Sequence, residues 1–336
     1  MKMVKNQHYV PQRHLRKFAI ASKKKRKDIH RFAIFDKLKA EIRANQNVEN
    51  YASERYFYDV DFNGLLQEAK LEGHIIDPKM EALIDKVDKQ HLENLFAEKV
   101  ETKMYDPFDR IITKYILTPT SMHQKVSVIT EEDRATIAYY LAIQYVRTKE
   151  YREKMIQLYE QGAKVLLRKE LGNEIDPDLL DDLEIKLKKR NINLTHNEHL
   201  LDTDMLESFA QIFSGHIWIF AKNETNSLFY TSDNPLVVYG HGEHHGLASR
   251  GIEIVFPITP KLALIMREVE HFKNDLVLHN KFHSVEEDYV NHCNTLQVFQ
   301  SYNYVFSKDA NFKLATELIK KNPSLRDVKK SRFLMG

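Results

Sequence analysis

The sequence predicts an α+β fold, with a mixed sheet built from N-terminal and C-terminal strands and a large helical insertion between them. Three observations carry this expectation. Residues 63–215 are dominated by helical periodicity. Residues 216–310 break into short apolar runs separated by turn residues. Near the N-terminus, "IHRFAIFDK" (residues 29–37) is short, apolar and aromatic, as a strand should be. The chain has 336 residues, 43% hydrophobic and 10% aromatic, enough apolar surface for one large core or two joined ones. A single domain over residues 1–336 is expected, with a helical subdomain at 63–215 and a mainly β part at 216–310.

The elements follow in order. In "QHYVPQRHLRKFA" (residues 7–19), Pro11 suits the first turn of a helix running to about Ile20. Lys23, Lys24, Lys25, Arg26 and Lys27 then read as a turn. "ASERYFYDVD" (residues 52–61) is extended or leads from a loop into a strand. Asp77 caps a helix with Pro78 in its first turn, and Pro107 ends or kinks that helix. Thr130 caps another, with Glu131, Glu132 and Asp133 suiting its dipole. That pattern runs unbroken to Leu171 and predicts one long helix. Further helices are expected over residues 178–189 and 202–214. "HIWIFAK", "SLFYTSD", "PLVVYG", "IEIVFPIT" and "LALIMRE" read as strands of one sheet. "VEEDYVNHCNTLQVFQS" reads as a helix and "YNYVFS" as a last strand, with the N-terminal strand joining the C-terminal sheet.

Composition removes several function classes. No apolar run approaches the roughly 18 residues of a membrane span, and no apolar signal region opens the chain, so a cytoplasmic protein with no membrane partner is expected. One cysteine, Cys293, excludes a disulfide framework and a cysteine-rich zinc site within one chain. There are ten glycines and neither G-x-G-x-x-G nor G-x-x-x-x-G-K-[ST], so no nucleotide cofactor is expected. The net charge of +2 does not imply nucleic acid by itself. The basic residues do cluster: at 23–27, at Lys186, Lys188, Lys189 and Arg190, and at Lys329, Lys330 and Arg332. These are solvated faces or contacts to a phosphate backbone.

Polar residues on apolar stripes supply the site candidates. At about 100° per residue, Ile137, Leu141, Thr148, Tyr151 and Met155 share one helix face, flanked by Tyr140. Gln144 falls within that face and Arg147 at its edge. Both need partners, either in a structural network or in a cavity shared with a ligand. On the preceding helix, Glu98 and Glu101 share a stripe with Leu83, Ile84, Val87 and Tyr105, and His91 lies near it. Carboxylates there imply a salt bridge to Arg147 or Arg16, a divalent ion, or a helix phase that turns them to solvent. In the opening motif, Gln12 and Arg16 face one direction, and His8 sits just before them. Arg16 suits a phosphate or carboxylate, and His8 a general acid/base or ligand role, or plain packing. In "FYTSDNPLVVY", Asp233 and Asn234 follow a strand, where both chemistry and turn formation are common. "YGHGEHHGL", with His241, Glu243, His244 and His245, reads as a flexible loop more readily than a metal tract. "THNEH" (residues 195–199) departs from the H-E-x-x-H pattern, and Cys293 reads as packed in its helix.

The chain resembles the domain of unknown function 4238 family. The resemblance rests on "HYVPQRHLRKFA" (residues 8–19), "ASERYFY" (52–58), "TSDNPLVV" (231–238), "FPITPKLALI" (256–265) and Asn294. Here His14 stands where the family often has an aromatic or aliphatic residue, and Thr259 where it has serine. The resemblance implies one continuous domain and marks Glu54 as a site residue. It also supports Glu101, Gln144, Arg147 and Asp233. It supplies no reaction, and implies a prokaryotic protein of a defence or mobile-element setting.

Two functions are consistent with these residues. The first is a phosphodiester hydrolase, such as a Mg- or Mn-dependent nuclease. His8, Glu54, Glu101 and Asp233 would be catalytic, and Glu101 and Asp233 metal ligands. Gln12, Arg16, Gln144, Arg147 and Asn234 would hold phosphate, and the lysine clusters would track nucleic acid. The second is a non-catalytic module binding a nucleotide, a nucleic acid or a protein partner, with the carboxylates neutralising Arg16 and Arg147.

Overall fold

The computed structural model describes residues 5–332, apart from 25–26, 77, 79–91, 93–94, 172–183 and 244–245. Strand β1 (Asn6–His8) leads through Pro11 into a single helical turn, α1 (Gln12–Leu15), continued as a 3₁₀ turn (Arg16–Phe18). The expected helix therefore stops at Phe18. The lysine cluster is not a simple turn either: it lies in an antiparallel hairpin of β2 (Ile20–Lys24) and β3 (Lys27–Asp36), with Lys25 and Arg26 outside the described residues. β2 is the edge of its sheet, and lysines on an edge strand discourage pairing with another chain. β4 (Glu41–Asn47) returns along β3 and is mostly exposed, so its sequence carries no apolar alternation. β5 (Ser53–Arg55) pairs with β1, placing Glu54 opposite Gln7 and Ser53 opposite His8.

The helical part begins with α2 (Phe62–Leu71), capped by the Asp61 side chain on the Gly64 N–H. Leu83, Ile84, Val87 and His91 lie outside the described residues. Phe96–Val100 form a π-helical turn, and Pro107 sits in the first turn of α3 (Asp106–Leu117), so the proline marks a helix start. Thr130 caps α4 (Glu131–Val146) through its side chain, as expected. The expected single helix then breaks at Arg147 and Thr148. Thr148 Oγ1 accepts the Tyr151 N–H and restarts the chain as α5 (Lys149–Leu171). Residues 184–188 are not helical; α6 (Lys189–Leu201) follows them, and Asp202 caps α7 (Thr203–Gly215).

The C-terminal strands are β6 (Ile217–Asn223), β7 (Thr231–Ser232), β8 (Val237–Gly240), β9 (Ile252–Thr259), β10 (Leu262–Arg267), β11 (Lys281–Val285) and, after α8 (Glu287–Gln300), β12 (Tyr304–Ser307); α9 (Lys313–Lys321) closes the fold. The class is α+β, but the strands form two five-stranded sheets and a ribbon, not one sheet. One sheet has the order β11-β6-β10-β9-β8. The other contains β2-β3-β12-β7 with β4 on β3, so the N-terminal strand does pair with the last C-terminal strand. "TSD" leaves the first sheet for the second because Thr231 and Ser232 pair with β12.

The packing explains the composition of β6. Trp218 and Phe220 face the large core shared with α3, α4 and α7, while Ile217, Ile219 and Ala221 face the core under α8. A strand covered on both faces reads as a continuous apolar run. A third cluster, with Phe35, Val305, Phe312 and Ile319, seats α9 on the other sheet. Among the described residues no helix is long and apolar enough to cross a membrane.

Candidate functional site

The N-terminal wall forms where β1 and α1 meet the end of α4. Arg147 is fully buried there. Its Nη2 donates to the His8 carbonyl at 2.5 Å and to Glu101 Oε1 at 3.3 Å, and its Nε donates to Tyr58 Oη at 3.4 Å. Its guanidinium lies 4.2 Å from the Phe96 ring centroid. Despite burial, the Tyr58 hydroxyl and the Glu101 carboxylate hold its pKa above the usual arginine value. Gln144 Nε2 donates to the Tyr9 carbonyl at 3.1 Å. Three buried polar atoms on this helix face have no hydrogen-bond partner: Tyr140 Oη, Gln144 Oε1 and Arg147 Nη1.

His8, Gln12 and Arg16 form a relay. Arg16 donates to Gln12 Oε1 at 2.8 Å, and the Gln12 amide lies 3.2 Å from His8 Nε2. Burial and the nearby Arg147 charge lower the His8 pKa to about 4, so the ring is neutral at pH 7. Of the residues expected to surround one site, His8, Gln12, Arg16, Glu101, Gln144 and Arg147 lie along this wall, most of them holding one another, whereas Glu54, Asp233 and Asn234 are bonded elsewhere.

Asp233 and Asn234 belong to a different network. Asp233 is fully buried, and its carboxylate accepts the backbone N–H groups of Tyr302, Asn303 and Tyr304 at 2.8, 2.8 and 2.9 Å. Burial raises its pKa to about 6 against the pull of those three donors. Asn234 Nδ2 donates to the Gln300 carbonyl at 2.9 Å. Three amides of α8 complete the network by holding the backbone of residues 228–238: Asn294 bonds to Tyr230 and Leu228, Gln297 to Pro235, and Gln300 to Val238. This bonding is a structural clamp and explains why polar residues recur in both segments.

The donors do not fit the expected divalent ion. Glu101 is paired with Arg147, Asp233 with three N–H groups, and they share no partner. No group of three His, Cys, Asp or Glu side chains that could hold a metal ion occurs among the described residues. His244 and His245 of the glycine-flanked loop lie outside those residues. The third basic cluster is largely structural: Arg332, whose side chain is 3% exposed, pairs with the buried Glu150 at 3.0 Å, and Lys330 Nζ donates to the Phe299 carbonyl.

Glu54 lies across the β1–β5 ribbon, at a cleft of about 370 Å³ lined by the loop after β5 and by α5 and α6. Two residues bracketing it have left-handed backbone: Ala52 at φ +51° and Tyr56 at φ +56°. For a bulky residue such as tyrosine this is strained, and surrounding bonds must enforce it. Those bonds are specific. Arg152 donates to the Phe57 carbonyl at 2.6 Å, Asn197 to that of Tyr58 at 2.7 Å, and Asn193 to that of Asp59 at 2.8 Å. Gln7, fully buried, donates to Asp59 Oδ1 at 2.6 Å and accepts the Tyr58 N–H at 2.7 Å. His196 holds Arg152 from behind and bonds to the Val146 carbonyl at 2.8 Å.

The acids of this cleft already have partners: Glu54 pairs with Lys149, Asp59 with Gln7, and Asp61 caps α2. The cations are less occupied. Arg55 is exposed beside the Tyr56 ring, and Lys189 is exposed on the opposite wall; neither has an acidic partner among the described residues. Arg152 stacks on Phe57 with its guanidinium 3.5 Å from the ring centroid, and burial lowers its pKa to about 10, so it stays charged. Sequence reasoning missed Gln7, Arg152, Asn193, His196 and Asn197. The signal was the spacing of Asn193, His196 and Asn197, three polar residues on one helix face.

The family model described as "Protein of unknown function (DUF4238)" matches residues 6–311. The chain belongs to this family. The matched span runs from β1 of this DUF4238 member to the turn after β12, so it includes the wall, the clamp and the cleft. No curated protein and no solved structure matches the chain.

Proposed function

We propose that this protein is a binding module for a phosphate-bearing ligand, a nucleotide or a nucleic-acid end, received in the cleft after β5. The supporting observation is the strained Ala52–Tyr56 segment, which holds Arg55 and Tyr56 at a cleft whose acids are paired and whose cations are available. Arg55, Lys189 and the outer edge of Arg152 suit phosphate oxygens, because a guanidinium offers paired donors and an ammonium a compact charge. The Tyr56 ring offers a face for a base, a contact worth about 1–3 kcal/mol in single-strand recognition. Backbone strain of about 1–3 kcal/mol per residue persists where surrounding contacts over-determine it, and it clusters at ligand clamps.

Phosphodiester hydrolysis is a second reading, favoured by one observation: His8 is held neutral beside Gln12 and Arg147. A neutral imidazole is the form a general base needs, but its lowered pKa makes this one a weak base at pH 7, which places the reading second. The described donors do not form a metal ligand set.

The test measures fluorescence anisotropy with labelled ATP and a short labelled single-stranded oligonucleotide, beside gel assays of cleavage with Mg²⁺ and Mn²⁺. The double variant Arg55→Glu, Lys189→Glu changes exposed positions and should keep the wild-type melting temperature. It should weaken binding by at least about tenfold, as expected for losing two phosphate contacts. Binding without cleavage supports the module, whereas cleavage abolished by His8→Asn supports the hydrolase. If neither probe binds, or the double variant binds like wild type, the cleft is not the site.

A further inference from the structure

In the sheet β11-β6-β10-β9-β8, strand β6 carries a lysine where its pattern calls for an apolar residue. Trp218, Phe220 and Lys222 alternate onto the face covered by helices, and Phe282 and Ser284 of β11 stand beside Phe220 and Lys222 in register. Lys222 is 3% exposed. A buried ammonium is expensive unless its donors are used, and it has three. One partner is present, Glu224 Oε1 at 3.0 Å. Glu224 is itself occupied, since its other oxygen accepts from Ser284 Oγ at 2.8 Å.

Lys222 lines a cavity of about 440 Å³ between the two strands and the segment after α3. That segment is anchored by His123, whose Nε2 bonds to the Thr118 carbonyl at 2.8 Å and whose ring packs 5.0 Å from Phe282. The His123 Nδ1 is buried without a partner. The rim consists of exposed Thr120, Ser121, Gln124 and Lys125. Among the described residues the charged side chains lining the cavity are Lys222 and Lys125; the Glu224 carboxylate at its edge is taken up by Lys222 and Ser284, which leaves Lys125 as the uncompensated charge, the other polar groups are hydroxyls, an amide and an imidazole, and the floor is an aromatic ring. That combination discriminates against cations, and it suits a charged head joined to an apolar body.

We propose that this cavity is a second binding site for a small organic oxyanion, with its charged end on Lys222 and Lys125 and its apolar body on Phe282. The site is separate from the cleft after β5 and shares no residue with it.

Calorimetric titration with phenyl phosphate, inorganic phosphate and benzyl alcohol tests this, run in the Arg55→Glu, Lys189→Glu background so that the cleft does not contribute. Phenyl phosphate should bind saturably, inorganic phosphate about tenfold more weakly for lack of the Phe282 contact, and benzyl alcohol not at all. Lys222→Met should abolish binding. Because that buried change can also disturb folding, Lys125→Glu and Ser121→Tyr provide exposed alternatives. Each should weaken phenyl phosphate by at least about tenfold at an unchanged melting temperature, by repulsion and by filling the mouth respectively. Absence of saturable anion binding overturns the proposal. So does binding that ignores both rim variants, or benzyl alcohol binding as well as phenyl phosphate.

Discussion

The clamp around Asp233 and the cleft around Glu54 are both built from polar residues of conspicuous sequence segments, yet they end differently. At the clamp, Asp233 and the side-chain amides of Asn294, Gln297 and Gln300 all meet backbone groups of residues 228–238 and 302–304. At the cleft, three backbone carbonyls are fastened from behind by Arg152, Asn193 and Asn197, while Arg55, Tyr56 and Lys189 remain available in front. Complete inward pairing specifies a fold, because a half-satisfied buried network is costly. Incomplete pairing at a rigid, strained surface loop leaves groups for a ligand. A carboxylate next to a strand end is therefore a weak indicator of chemistry until its partners are known.

The sharpest way to break this contrast is Asp233→Asn. One oxygen remains to accept, and the new amide N–H₂ faces backbone N–H donors that cannot accept from it. Leaving a buried N–H without its charged acceptor costs about 1–3 kcal/mol, a substantial part of a domain's roughly 5–15 kcal/mol. Urea unfolding should show that loss, while the cleft of the folded protein keeps its affinity. A variant as stable as wild type would remove the clamp from the structural side.

A smaller effect is expected from His14, which is buried among Phe18, Tyr105 and Phe256 and bonds to Tyr105 Oη and Thr231 Oγ1. Burial, with Lys17 nearby, lowers its pKa to about 3. A depressed folded pKa contributes stability that is present above the unfolded value near 6.5 and lost as pH falls towards 3. Asp233 works in the opposite sense, since its raised pKa lets the folded state take a proton first between pH 6 and about 4. His14→Leu removes only the histidine contribution. It should be less stable than wild type at pH 7.5, with two hydroxyls left unpaired. That gap should narrow by about 2 kcal/mol at pH 5, at about 1.4 kcal/mol per unit below 6.5. Parallel stability–pH curves would mean that His14 is not buried neutral.

The sequence revealed the fold class, the Thr130 cap and most strand positions, because periodicity and capping are local. It revealed the company of Arg147 because Gln144 and Arg147 share a face with Ile137, Tyr140 and Leu141, all buried. The break at Arg147 and Thr148 was hidden, since helical periodicity continues across it. β4 was hidden by its solvent-facing composition. The cleft was only half legible: Glu54 stands in a recognisable segment, but the residues fastening that segment lie on α5, α6 and β1, and only tertiary contact joins them.

The last test addresses the strain that separates the two regions. Ala52 is buried at φ +51°, and its carbonyl accepts from Tyr9 N at 3.0 Å and Val10 N at 3.4 Å. Replacing a buried strand alanine with glycine removes a methyl group and adds chain entropy to the unfolded state, together about 1–2 kcal/mol. Ala221→Gly in β6, where the backbone is ordinary extended strand, should lose that amount. At Ala52 the same losses are offset by relief of a left-handed conformation worth about 1–2 kcal/mol. Ala52→Gly should therefore stay within about 1 kcal/mol of wild type while weakening nucleotide binding, because glycine no longer holds Arg55 and Tyr56 in one orientation. Equal losses at both sites would leave the segment without stored strain, and the cleft would then differ from the clamp only in which of its charges lack partners.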